Sequence, residues 1–447
     1  MPVDTVLYNA KIPMNGDLVE AGIAIDHDRI VKIAKKTNLP KASKSIDLKG
    51  KVALPGLIDS HVHLRDQEMA YREDFTTGTS AAAAGGVTTV IDMPNNRPIT
   101  MSPETLTARM QLADTRILVN VAFNSAFPTQ PSEIPQIVET GAVGFKLYML
   151  QQIGGVNIDD DDTLLNAFKT TRRAKTLVAV HAEDKTIIEQ AQKKLREQGR
   201  KDVEAFLQAH PTEAEEKATK RVIELSKKSD AHVHFCHVSS LLAMKAVIGA
   251  KKLGYNATCE VTPHHLLLTS KHLRKYGRLA VEIPPLRRNS DVAYLWRQLH
   301  KGLVDTIASD HAPHSLEEKE AESVWDVKPG IAGLETMLPL LLTQVNRRQL
   351  TIQQLVRLTC RNPAEIYRIK DRGTLAEGSF ADIIVVDLKK EHHVDASTFL
   401  SKAKFSPFDG WKVKGAPVKT FVNGQLVMDK GEIVARPSCG QVIRRVV

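Results

Sequence analysis

The chain is 447 residues long with 42% apolar and 25% charged residues, which supports a folded core and argues against disorder. Its 61 basic and 52 acidic residues leave a net charge of +9, spread along the chain, and aromatics reach only 5%, so no nucleic-acid surface is expected. The first residues lack a basic start and apolar leader, and the apolar run 337–343 is too short to span a bilayer; no membrane partner and a cytoplasmic location are expected.

In chain order, residues 5–9, 21–26, 29–33 and 45–49 read as short strands separated by turns, with nothing catalytic among them. The same style returns in 382–387 and 419–427. Between these ends, strand-like and helix-like patterns alternate, which argues for a parallel sheet. The strand candidates are 54–60, 87–92, 117–123, 143–148, 177–181, 232–237, 257–261 and 305–309. Eight strands are the number that closes a barrel. The prediction is an α/β protein: a TIM (β/α)8 barrel over residues 55–372, with a small β-sandwich domain assembled from residues 1–54 and 373–447.

Among the helices, Thr212–Ser229 carries acids early and bases late, as the helix dipole favours. Asn362-Pro363 reads as an N-cap followed by proline at the first helical position. The aspartates at 159–162 read as helix N-terminal acids rather than a calcium loop, and the run 317–322 as a solvated loop or short helix beside the site. The four cysteines, Cys236, Cys259, Cys360 and Cys439, are scattered and read as reduced thiols, with Cys236 assigned to packing.

The chemistry gathers at the ends of apolar runs. His61 and His63 stand at i and i+2, so on a strand they face the same side and can hold one ion. His181 and His237 end two further runs and supply a pair for a second ion, while Asp310 can reach the first ion and accept a proton from its water. Lys146 also ends such a run. A protonated lysine cannot be a ligand; one that has captured carbon dioxide as a carbamate becomes a long carboxylate able to bridge two metals. Side chains at successive strand ends converge at one mouth of a barrel, so this set points to a metal-dependent hydrolase. His264 and His265 read as supporting or packing residues, and His232 and His234 stay unassigned.

At these residues the sequence resembles the amidohydrolase superfamily, and within it the class I dihydroorotases with a carboxylated lysine. The likeness is carried by Pro55-Gly-Leu-Ile-Asp-Ser-His-Val-His-Leu-Arg-Asp66, the stretch from Tyr71 to Met93-Pro-Asn95, Val180-His-Ala-Glu183, His237-Val-Ser239, Glu260-Val-Thr-Pro-His-His265, Ala308-Ser-Asp-His-Ala-Pro-His314, Gly330-Ile-Ala-Gly-Leu-Glu-Thr336 and the return to the β-domain at 373–387. The resemblance implies a zinc enzyme that reversibly hydrolyses dihydroorotate to N-carbamoyl-L-aspartate in pyrimidine synthesis. Two divalent ions, bridged by carboxylated Lys146, would sit on His61, His63 and Asp310 and on His181 and His237. Hydroxide held between them would attack the ring amide, with Asp310 handling the proton. Arg65, Asn95 and His314 would hold the substrate carboxylate, and the backbone at Pro329 and Gly330 would meet the ring.

It further implies a homo-oligomer and association with aspartate carbamoyltransferase. Two departures stand out: Ile283 precedes Pro284-Pro-Leu-Arg287 where many relatives have asparagine, and Gln67-Glu68 replace a common Pro-Gly. The competing readings are a hydantoinase or dihydropyrimidinase, which lacks a substrate carboxylate, and a non-catalytic homologue. For Arg65 the bland alternative is a surface ion pair with Asp66 or Glu68.

Overall fold

The computed structural model describes residues 2–14 and 16–445. Eight parallel strands form one sheet in chain order: β1 Leu57–Val62, β2 Val87–Asp92, β3 Asn120–Ala126, β4 Gly144–Tyr148, β5 Leu177–His181, β6 His232–Phe235, β7 Ala257–Val261 and β8 Thr306–Ile307. The ladder between β8 and β1 is missing, and a single bridge from Val62 to His311 closes the barrel there, with the His63 amide donating to the His311 carbonyl at 2.8 Å. That closure falls between the His-Val-His pair and Asp310. Strands such as Leu177-Val-Ala-Val-His181 are buried along their whole length because helices cover the outside of the sheet. Those helices start on side-chain caps, among them Asp74, Ser102, Asp160, Asp184 and Ser240, so each loop leaving a strand hands the chain to its helix at a fixed point.

The terminal β-domain is one sheet of nine strands. Its halves are joined where Val52–Pro55 pairs antiparallel with Ile383–His393. Residues of both halves, including Leu7, Ile23, Ile383 and Phe421, share one apolar core.

Several sequence expectations need correction. The run 54–60 is two strands, because the chain turns at Gly56, where a Cβ would stand 2.0 Å from Thr88 Oγ1. The third strand starts at Asn120 rather than 117; the Ile117 carbonyl instead accepts from the amides of Ser438 and Gly440. The run 419–427 is a hairpin, Lys412–Val422 and Gln425–Asp429, turned at Asn423-Gly424 with φ of 48° and 79°. Asn-Gly tolerates that left-handed pair as other residues do not. Asn362 does not cap a helix start: a π-helical turn Arg357–Arg361 runs directly into Asn362–Tyr367, and the Asn362 side-chain Nδ2 donates to the Asp305 carbonyl at 2.6 Å. Thr212–Ser229 is a helix, and the acids at 159–162 start the helix Asp161–Arg173, as expected.

No helix among the described residues is long and apolar enough to cross a membrane.

Candidate metal centre and substrate cavity

A cavity of about 350 Å³ opens at the C-terminal mouth of the barrel. It is lined by His61, His63, Lys146, His181, His237 and Asp310, with Arg65, Asn95, His314 and Pro329 around them. His61 lies in β1 and His63 directly follows it, Lys146 lies in β4 and His181 ends β5; His237 and Asp310 lie just beyond β6 and β8. His237 and Asp310 both take positive φ, 35° and 47°. Strained backbone of this kind is held only where the surroundings over-determine it, and it turns both side chains into the mouth.

Three of the four imidazoles have their tautomer set by a partner on the far nitrogen. Nδ1 of His61 faces Glu260, Nδ1 of His63 lies 2.6 Å from Asn95 Oδ1, and Nε2 of His181 lies 2.9 Å from Glu183 Oε2. Each partner is an acceptor, so when a ring is neutral its proton sits on the far nitrogen and its lone pair faces the cavity. Nε2 of His61 and of His63 each lie 3.3 Å from Asp310 Oδ1, and these three residues form a ligand set able to hold an ion. His181 Nδ1 lies 3.0 Å from His237 Nε2, and Lys146 Nζ lies 3.3 Å from His61 Nε2.

The charges fit a cation. Burial raises the Asp310 carboxyl, but the imidazoles of His61, His63 and His237 outweigh it and hold the group well below its usual range. Burial keeps His63 neutral, pushed down to about 3, and lowers His237 likewise. At His61 burial is overcome by Asp310 and Glu260, and the ring is pushed up to about 10: these carboxylates call for positive charge where its proton would sit. Ionised oxygen and neutral nitrogen converging on one point are the donors a divalent ion needs.

The sequence reading passed over the groups behind the ligands. Glu260, at 0% exposure on β7, faces His61 Nδ1, lies 3.2 Å from His234 Nε2 and accepts from the His237 amide at 3.1 Å. Glu183 serves His181 and also His210. For Glu183 a signal was available, since it stands two residues past His181 and in phase with it; for Glu260 there was none, since no candidate ligand lies on β7. His234 belongs to the Glu260 network; His232 bonds Thr258, and His265 bonds Thr262 and the Pro284 carbonyl. Cys236 lies past the end of β6, where strand alternation no longer applies, and its sulfur comes within 4.8 Å of ligand atoms of His61 and Glu260. Glu260→Gln is expected to weaken metal binding about 10- to 100-fold, the usual cost of losing such support, in a metal titration of the stripped protein.

Arg65 is buried at 5% exposure, in a left-handed stretch with Asp66 and Gln67. The surface pair weighed for it is not formed: Asp66 pairs with Arg116 instead. Among the described residues the Arg65 guanidinium has no carboxylate partner; its Nε is unpaired and its Nη2 lies 3.5 Å from His314 Nε2. Burial and Arg72 lower it only to about 10, so it stays charged. His314 is fixed through Nδ1 by Glu318 at 3.0 Å, and Glu318 also holds Arg72. The run 317–322 is therefore not simply solvated, since Glu318 and the wholly buried Lys319 turn inward. Tyr148, missed in the sequence, lines the cavity with an unpartnered hydroxyl, which burial keeps protonated. Ile283, Met69, Ile99, Leu150 and Ile153 supply apolar wall.

The amidohydrolase family model matches residues 52–427. The L-hydantoinase of Paenarthrobacter aurescens is 34% identical over 99% of this chain and 98% of its own. A dihydroorotase of Methanothermobacter thermautotrophicus is 35% identical over 96% and 95%. The solved L-hydantoinase (dihydropyrimidinase) of Arthrobacter aurescens superposes with a TM-score of 0.95 at 34% identity, covering 99% of this chain and all of that one. With this barrel, this ligand set and these relatives, the chain belongs to the amidohydrolase family and is a hydrolase of the cyclic-amidase kind.

Proposed function

We propose that the protein is a binuclear zinc dihydroorotase, hydrolysing dihydroorotate to N-carbamoyl-L-aspartate and reversing the reaction, in the cytoplasm. The observation that carries this reading is Arg65: a charged guanidinium at the cavity wall, buried and without a carboxylate partner among the described residues. Leaving such a group unpaired is costly, and a substrate carboxylate would satisfy it with two charge-assisted bonds. Asn95, whose Oδ1 is taken by His63, retains its NH₂ group for the same carboxylate, and His314 stands beside it. Pro329, in the cavity wall, and its neighbour Gly330 would meet the ring.

Bound divalent ions would acidify a water and polarise the scissile carbonyl. His61, His63 and Asp310 would hold one ion, and His181 and His237 the other. Lys146, wholly buried beside His61, would serve as a shared ligand once its amine has lost a proton and combined with carbon dioxide as a carbamate, because an ammonium there would be repelled. Asp310, ionised at neutral pH, takes the proton of the attacking water and returns it to the leaving ring nitrogen. The Tyr148 hydroxyl is free to donate to the carbonyl oxygen as charge grows on it.

The second reading, a hydantoinase, is favoured by the apolar wall of Met69, Ile99, Leu150, Ile153 and Ile283, which suits an uncharged ring substituent. Turnover of dihydroorotate, hydantoin, dihydrouracil and allantoin by the purified, metal-analysed protein separates the two. The expectation is about two divalent ions per chain, as two-metal sites require, and the highest kcat/KM for dihydroorotate. A preference for hydantoin or dihydrouracil would reject the proposal.

A further inference from the structure

Lys319 ends the short helix Leu316–Lys319, where a lysine would ordinarily reach solvent, yet its side chain is entirely buried. Its ammonium donates to the carbonyls of Val281 and Gly330, each at 2.9 Å, and of Lys328 at 3.2 Å. Backbone bonds tie the same segments together: the Gly330 amide donates to Val281 and the Lys328 amide to Glu318, both at 3.0 Å. Each segment presents something to the substrate cavity. Residues 281–283 bring Glu282 and Ile283, residues 328–330 bring Pro329, and the helix brings Glu318, which holds His314 and Arg72. There is little slack in this wall, since a Cβ on Gly330 would stand 2.2 Å from the Ala312 carbonyl and 2.8 Å from His314 Cδ2.

We propose that Lys319 is a positioning residue for substrate selection, its ammonium pinning the wall of Ile283 and Pro329 against His314 and so setting the shape of the cavity opposite the metal ligands. Burial pushes the amine down to about 8, with Glu282 and Glu318 opposing the shift, so the cation persists at neutral pH. An apolar side chain of the same length would leave the carbonyl of buried Gly330, and that of Lys328, without this donor, and the segments would part to find water. None of the ammonium's partners is a proposed metal ligand, so the centre itself should be untouched.

The inference rests on the cyclic-amidase reading but not on which amide is preferred. In the full-length, metal-loaded enzyme, Lys319→Met is expected to raise KM for the wild type's preferred substrate about 10- to 100-fold, the scale of a misplacement near 1 Å. The kcat/KM ratio between dihydroorotate and hydantoin should shift by about tenfold for the same reason, with metal content unchanged. Lys319→Gln, which keeps an N–H donor, should recover part of the loss, and it carries the measurement if the methionine variant does not fold. A folded variant with wild-type KM and wild-type ratio would overturn the proposal. So would a fall in kcat and metal content with KM and ratio intact, which would mark a purely structural role. A wild type that prefers hydantoin would reject the dihydroorotase reading while leaving this test in place.

Discussion

Asp310→Asn should lower kcat by about 10²- to 10⁴-fold, the contribution of a positioned general base, with part of the metal still bound. Asparagine is the informative replacement because Asp310 sits at φ 47°. Asparagine tolerates the left-handed region nearly as well as aspartate, whereas alanine would add backbone strain to the chemical loss. The amide keeps one oxygen 3.3 Å from His61 and His63, so the first ion loses charge from its ligand set rather than the whole ligand. It cannot accept a proton. Metal analysis beside steady-state kinetics separates the two effects. Near-normal kcat in a metal-replete variant would remove Asp310 from proton transfer; loss of activity in strict proportion to lost metal would confine it to ligation.

Much of this cluster was legible because each of its candidate ligands stands in or just past an apolar run, and such runs alternating with helical patterns read as strands of a covered parallel sheet. His61 and His63 needed only the two-residue repeat of a strand to share a face. What stayed hidden depends on pairing across the barrel. Glu260 lies 199 residues from the imidazole it supports, and nothing local marks a glutamate on β7 as the partner of a histidine on β1. Lys319 was unreadable for a related reason. It sits among glutamates, and only the three carbonyls arriving from two other segments turn it from a solvated lysine into a buried one. Where a hydrophobic pattern ran across a boundary, it misled. Residues 54–60 look like one strand, yet the chain changes sheets at Gly56, where the close approach of Thr88 leaves no room for a side chain. In 419–427 the apolar residues on either side of Asn423-Gly424 overrode a turn signal that alone would have placed the hairpin.

Arg65 divides the two candidate chemistries, and the size of the effect follows from its surroundings. Relatives of this chain include both an L-hydantoinase and dihydroorotases at 34–36% identity, so the shared fold alone does not choose between them. Hydrogen bonds to charged groups are worth about 1.5–3 kcal/mol each. A guanidinium that grips a carboxylate through two of them therefore accounts for a factor of about 10² or more in kcat/KM. Arg65→Met retains the apolar stem and removes the charge, so dihydroorotate turnover should fall by about that factor, mostly in KM. Hydantoin makes no such demand. Its binding leaves the wild-type guanidinium buried without a carboxylate, so removing the charge should leave hydantoin turnover within about threefold or improve it. Arg65→Lys sharpens the result: a point charge remains but the paired geometry is lost, and most of the deficit for dihydroorotate should persist. Equal losses for both substrates would mean that Arg65 shapes the cavity rather than binding a carboxylate. Unchanged dihydroorotate kinetics would place the carboxylate elsewhere and turn the assignment toward the hydantoinase reading.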